Sequence, residues 1–111
     1  MRVIQLSSYL YPKKISVLGS RLIGKNLRDD IERVLSEPSS VVLDFSDVDI
    51  MTQSFCDEAI GVLIRERSKE VLKSIVFKNA NPSIRRTILL VKDYSEKMGK
   101  TRSLRDIVGD E

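Results

Sequence analysis

The sequence predicts an α/β domain built on a small mixed sheet of about four strands. Three observations carry this. Short apolar runs, Val41-Val42-Leu43 and Ile75-Val76-Phe77, alternate with longer segments whose apolar residues recur at helical spacing, the pattern of a mostly parallel sheet with crossover helices. Two short candidate strands at the start, Arg2 to Leu6 and Lys14 to Leu18, flank the turn-forming Tyr11-Pro12-Lys13-Lys14 and read as an N-terminal hairpin that adds one antiparallel pair. At 111 residues, 41% hydrophobic and 32% charged, the chain has room for one core and no second.

The elements follow in order. From Ser20 the period becomes helical: Ile23, Leu27, Ile31 and Val34 share a stripe with Leu35 beside it. Ser20 is placed to cap this helix and Glu37-Pro38-Ser39-Ser40 to end it. Gly24, at the edge of the stripe, is expected to let the helix approach the sheet. Val41 to Phe45 is too continuously apolar for a solvated strand, so it is expected centrally with both faces covered. A second helix is expected to start at Ser54, where Ser54-x-x-Asp57 is a variant of the capping box, followed by Phe55, Cys56, Ala59, Ile60, Val62 and Leu63. Ile75, Val76 and Phe77 read as another buried strand, closed by Asn79-Ala80-Asn81-Pro82. Asn81 suits the cap and Pro82 the first position of a third helix, with Ile84, Ile88 and Val91 inward and Tyr94 or Met98 extending the stripe. Gly99 marks its expected end. Residues 1–99 are thus one domain and 100–111 a charged tail, either frayed or a short docking helix.

Composition removes several function classes. Without a single His, neither a Ser-His-Asp triad nor a His-containing zinc site can be built from this chain. Neither the phosphate-binding P-loop pattern nor the dinucleotide-binding glycine fingerprint occurs. The net charge is +3, but the basic residues are scattered among acids, Trp is absent and aromatics make up 5%, so nucleic acid is not an expected partner. No apolar run approaches the roughly 20 residues that span a bilayer, and no membrane partner is expected. Cytoplasm is the default location. The one cysteine, Cys56, falls on the apolar side of its helix and reads as buried rather than reactive.

Charge is distributed unevenly. Residues 41–60 hold five acids and no Lys or Arg, whereas 1–40 hold seven basic against four acidic residues and 61–111 hold twelve against seven. This strand-to-helix junction is the candidate functional site. Ser54, at the helix start, is either a cap or a phosphorylation site, with Thr52 in the loop as the second candidate. A phosphate there would meet unpaired backbone N–H groups, yet would add roughly 1.5 to 2 negative charges beside Asp57 and Glu58. Asp57, Glu58, Gly61 and Arg65 lie opposite the apolar set, as a solvated face or as a docking face on which Gly61 admits a partner backbone. Asp44, ending the central strand, either orders the loop or joins Asp57 and Glu58 at a divalent cation, the basis of an alternative as a metal-dependent phosphate-handling enzyme. Arg85 and Arg86 oppose the dipole of the third helix, as a solvated pair or a contact for an anionic group.

The run Val42-Leu43-Asp44-Phe45-Ser46-Asp47-Val48, then Met51 through Glu58, then Phe77-Lys78-Asn79-Ala80-Asn81, resembles the STAS-like domain family, relatives of bacterial anti-sigma factor antagonists. The likeness spans about Gly19 to Val91. It implies a binding module rather than an enzyme, with no cofactor. In the antagonists a serine at the start of the helix after the central strand is phosphorylated by a partner kinase, which abolishes binding. Ser54 occupies the matching place, so the resemblance implies an ATP-binding kinase of the anti-sigma type as partner. The antagonist pattern has an acid two residues before that serine and a glycine after it; here Thr52 and Phe55 stand there, and the acids follow.

Overall fold

The computed structural model describes residues 2–10 and 16–109. Its centre is β3 (Val41–Asp44), all four residues of which are buried. β3 lies between β1 (Arg2–Gln5) and β5 (Ile75–Lys78) and runs parallel to both. A second, two-stranded parallel sheet joins β2 (Val17–Leu18) to β4 (Ile50–Met51). The central position expected of Val41 to Phe45 holds. β5, expected to be buried, is an edge strand instead, with Val76 46% exposed.

The N-terminal hairpin does not form, and the sheet is not mixed: β1 and β2 lie in different sheets and every ladder among the described residues is parallel. After β1 the chain takes a 3-10 turn, Leu6–Tyr9, that buries Leu6 and leads into buried Leu10. Each leucine anchored this way contributes about 1.5–3 kcal/mol, whereas an isolated two-stranded ladder is marginal in water, so burial wins. The turn read at Tyr11-Pro12-Lys13-Lys14 lies outside the described residues.

The helices are α1 (Arg21–Leu35), a continuous helical run over 53–67, and α4 (Pro82–Gly109). The middle run has three parts: α2 (Gln53–Cys56), a π-helical turn (Asp57–Gly61) and α3 (Val62–Arg67). Ser20 caps α1 as expected, accepting the Ile23 N–H at 3.3 Å, and Leu27 and Ile31 carry its buried face. Gly24 permits a close approach, but to a helix rather than the sheet: a Cβ there would lie 2.8 Å from the Phe55 carbonyl oxygen.

The π turn has a sequence cause. The buried apolar side chains of the run, Phe55, Cys56, Ala59, Ile60, Leu63 and Ile64, repeat at intervals of four. In a regular helix of 3.6 residues per turn such a set drifts by about 40° per repeat. One widened turn, closed by the Val62 N–H on the Asp57 carbonyl, takes up part of that drift and keeps all six inward.

Asn81 caps α4, accepting the Ile84 N–H at 2.9 Å, and its amide donates to the Asp49 carbonyl at 2.8 Å, which ties the helix start to the loop before β4. Ile84, Ile88 and Val91 point inward as expected. Tyr94 and Met98 do not extend that stripe: they are 52% and 40% exposed, and Ser95 takes the inward place. Nor does Gly99 end the helix, which continues to Gly109 and crosses the boundary drawn between domain and tail. A lone glycine costs a helix interior about 1 kcal/mol, and no proline follows to enforce a stop.

Candidate functional site

The loop after β3 is organised by Asp44. Its Oδ1 accepts the Ser46 hydroxyl at 2.7 Å, the Ser46 N–H at 3.0 Å and the Asn79 amide at 3.0 Å, while Oδ2 accepts the Gln5 amide at 3.3 Å. These donors, Asn79 foremost and then Ser46, hold the carboxyl far below the usual aspartate range. Asp47 and Asn79 both adopt positive φ, 69° and 59°, a conformation Asp and Asn tolerate better than most residues. Asp44 is therefore a loop organiser. It is buried, and both of its carboxylate oxygens accept hydrogen bonds from within the chain.

The loop ends at Thr52, which is the true cap of α2. Its Oγ1 accepts the Phe55 N–H at 3.2 Å and its hydroxyl donates to the Gly19 carbonyl at 3.3 Å. The assignment of the cap to Ser54 is thus corrected: Ser54 lies within the first turn. Two residues earlier, Thr52 has the extended backbone a cap requires, φ −69° and ψ 156°. As a consequence the Thr52 hydroxyl is engaged on both sides, while the half-buried Ser54 hydroxyl has no hydrogen-bond partner among the described residues. It opens into a cleft of about 380 Å³ lined by Arg21, Gln53, Ser54, Asp57, Val91 and Tyr94.

The acids after Ser54 are neither free nor simply solvated. Arg65 Nη1 lies 2.8 Å from Asp57 Oδ1 and donates to the Ser95 hydroxyl at 3.1 Å. Arg21 Nη1 lies 3.2 Å from Asp57 Oδ2 and 3.3 Å from Glu58 Oε2. Arg28 reaches Glu58 twice, at 3.7 Å to Oε1 and 2.6 Å to the backbone carbonyl. Burial pushes the Asp57 carboxyl up, but the hydrogen bonds and charges of Arg65 and Arg21 outweigh it and hold the group below its ordinary value. Two acids of the acid-rich junction therefore stand inside a frame of three guanidinium groups.

Gly61 and Arg65 also depart from expectation. Gly61 is buried, and the helix it admits is α4 of the same chain: a Cβ on it would meet Asp57 Oδ1 at 2.6 Å, Ser95 Oγ at 2.9 Å and Val91 Cγ1 at 3.0 Å. Arg65 is mostly buried and spent on Asp57 and Ser95. The solvent-facing part of the site is instead Arg21, whose side chain is 56% exposed, with Gln53, Ser54 and Tyr94. Arg85 and Arg86 are exposed, with no ion pair among the described residues.

Asp44 does not join Asp57 and Glu58, and no group of three or more acids or Cys able to hold a metal ion exists among the described residues. Cys56 is buried, and loss of hydration, with Asp57 adding a smaller effect, pushes its thiol up to about 12. No described helix is long and apolar enough to cross a membrane.

Sequence reasoning missed Arg21, Arg28, Ser95 and Tyr94. The arginines arrive from α1, some thirty residues away in the chain, with no local signal of their pairing. Ser95 had one: it continues the 84, 88, 91 spacing.

Against known proteins, neither curated sequences nor solved structures provide a match. A family model described as a STAS-like domain of unknown function matches residues 24–85, which covers β3, the loop, the whole 53–67 run, β5 and the start of α4. More than half of the chain fits that model, and the chain belongs to the STAS-like domain family.

Proposed function

We propose that this chain is a non-enzymatic regulatory module that binds a protein partner across the face around Ser54, and that phosphorylation of Ser54 switches that binding. The observation that carries this reading is the Ser54 hydroxyl: half-buried, unpartnered among the described residues, and open to a cleft, while the neighbouring Thr52 hydroxyl is engaged as a cap. A side chain that neither caps nor pairs is available for modification. The partner is a protein kinase of the anti-sigma type, by analogy with the antagonists. In the switching step a bond forms between Ser54 Oγ and the γ-phosphorus of ATP as the bond to the β–γ bridging oxygen breaks. ADP leaves, and the hydroxyl proton passes to a base on the kinase.

Around the cleft the surface is mixed: Tyr94, 52% exposed, lines it together with Arg21, and Leu90, four residues before Tyr94 on α4, is 58% exposed. Aromatic and arginine side chains of this kind carry much of the energy of protein interfaces. A phosphate adding roughly 1.5 to 2 negative charges at the centre of such a face changes its complementarity without unfolding it.

The test is direct. The chain is incubated with ATP and a candidate kinase, and intact mass is read for one added phosphate, which is expected in the wild type and in Thr52→Ala but not in Ser54→Ala. A phosphate that persists in Ser54→Ala removes the assignment.

A further inference from the structure

The site around Ser54 contains a charge imbalance that its own structure does not use. Three guanidinium groups, Arg21, Arg28 and Arg65, face two carboxylates, Asp57 and Glu58, so the cluster holds one surplus positive charge. The three arginines are not equivalent. Arg65 and Arg28 have side chains only 17% and 13% exposed, and each adds a hydrogen bond to its ion pair, with the Ser95 hydroxyl and the Glu58 backbone carbonyl respectively. Arg21 is 56% exposed, makes its two contacts through a single nitrogen at 3.2 and 3.3 Å, and lines the same cleft as Ser54.

We propose that Arg21 is the phosphate clamp of this module: on phosphorylation of Ser54 its guanidinium leaves Asp57 and Glu58 and pairs with the phosphate. This rests on the reading of Ser54 as the switch and assigns the residue that detects it. Ser54 and Asp57 are three apart in a helical run, which makes their side chains neighbours, so a guanidinium already held on Asp57 has little distance to travel. A phosphate dianion offers the planar arginine fork two oxygens and more charge than either carboxylate. The exchange leaves no buried acid stranded, because Asp57 keeps Arg65 and Glu58 keeps Arg28. Its consequence is local: Arg21 is the first residue of α1, so moving it redraws the surface where α1 meets the cleft.

The test needs no kinase. Phosphoserine is installed at position 54 during translation, in the wild-type background and with Arg21→Gln, Arg21→Lys or Arg86→Gln. The phosphorus resonance is then followed with pH. An unperturbed phosphoserine gives up its second proton near pH 6, and a nearby cation lowers that midpoint. Arg21→Gln is expected to raise the midpoint by about one unit relative to the wild-type background, Arg21→Lys by less, and Arg86→Gln not at all. Circular dichroism confirms that the variants fold; Arg21 is exposed, so its replacement is tolerated. Equal midpoints with and without Arg21 overturn the clamp, even if a kinase does modify Ser54. Conversely, a clear Arg21 effect alongside no enzymatic phosphorylation of Ser54 retains the anion site and rejects the switch.

Discussion

A methyl group on Gly61 would stand 2.9 Å from the Ser95 hydroxyl oxygen, across the contact between the π turn and α4. That separation explains why a glycine occupies the interior of a helical run. The same methyl would press on Asp57 Oδ1 at 2.6 Å, and that carboxylate cannot step aside without loosening its ion pair with Arg65. Gly61→Ala gains up to about 1 kcal/mol in helix propensity but suffers overpacking of about 1–3 kcal/mol. The expected net effect is a destabilisation of up to about 2 kcal/mol, read as a lowered urea midpoint with unchanged slope. A stabilised variant would show that the contact yields easily and that the close approach of α4 is not what selects glycine.

The Asp57–Arg65 pair is expected to matter more than the contacts of Arg21. Both of its ends are more than four-fifths buried as side chains, whereas Arg21 stands largely in water. Asp57→Asn or Arg65→Met should each cost about 1–3 kcal/mol, less than a fully buried pair because some hydration remains. Arg21→Gln should leave the urea midpoint essentially where it is, because exposed ion pairs are screened by water. A double-mutant cycle on positions 57 and 65, followed by denaturant unfolding, separates the coupling from the burial of each partner. Coupling no larger than that of an exposed surface pair would mean the guanidinium frame is decorative.

Acid should weaken the fold through two named carboxyls. Asp44 and Asp57 are both held below the ordinary aspartate value, so the unfolded chain takes up protons before the folded one does. Their stabilisation is complete above about pH 3.9 and is lost progressively as pH falls through that value toward the depressed folded ones. The urea midpoint should therefore not vary with pH on account of these groups between pH 6 and 5 and should drop steeply below pH 4. Asp44→Asn should lower the midpoint at neutral pH, because its amide faces the donors of Asn79 and Gln5, and should flatten the acid limb. An acid limb of the same steepness in Asp44→Asn would remove Asp44 from this account.

Cys56 offers a probe of opening. Its side chain is buried and its thiol is pushed up to about 12, so almost no thiolate exists near neutral pH and no reagent reaches it. Labelling by a disulfide reagent should be slower than that of the urea-unfolded chain by about a thousandfold or more and should follow the free energy of opening. Rapid labelling under native conditions would place the residue at a surface.

What was legible follows from range. Local chemistry declared itself: the cap at Ser20, the cap at Asn81 with Pro82 behind it, and the continuous apolar run of β3 all stand where periodicity and turn chemistry put them. Strand pairing did not, because β1 finds β3 across some forty residues, and nothing in Arg2 to Gln5 names its neighbour. The site shows the same division. The acids at 57 and 58 were visible with Arg65 on their face, but their meaning depended on arginines at 21 and 28 that folding alone brings to them. The cap at Thr52 was obscured by an equally suitable serine two residues on, and only the backbone angles separate them. The π turn did leave a trace, in apolar pairs spaced by four, that helical counting at 3.6 passes over.

Ile88 and Leu90 give the sharpest contrast on one helix. They are two residues apart on α4, 7% and 58% exposed, and of similar size. Ile88 touches the core, so Ile88→Ala removes buried methyl groups and leaves a cavity, at an expected cost of about 2–5 kcal/mol. Leu90 has its side chain in water, so Leu90→Ala should alter stability by no more than about 0.5 kcal/mol. If the face beside Ser54 binds a partner, Leu90→Ala and Tyr94→Ser should nonetheless weaken that complex tenfold or more, with the fold intact. Thermal and urea unfolding measure the first pair of effects, and titration calorimetry with the partner measures the second. A Leu90 variant that loses stability as Ile88 does would show α4 docked differently, while one that binds unchanged would move the partner away from this helix.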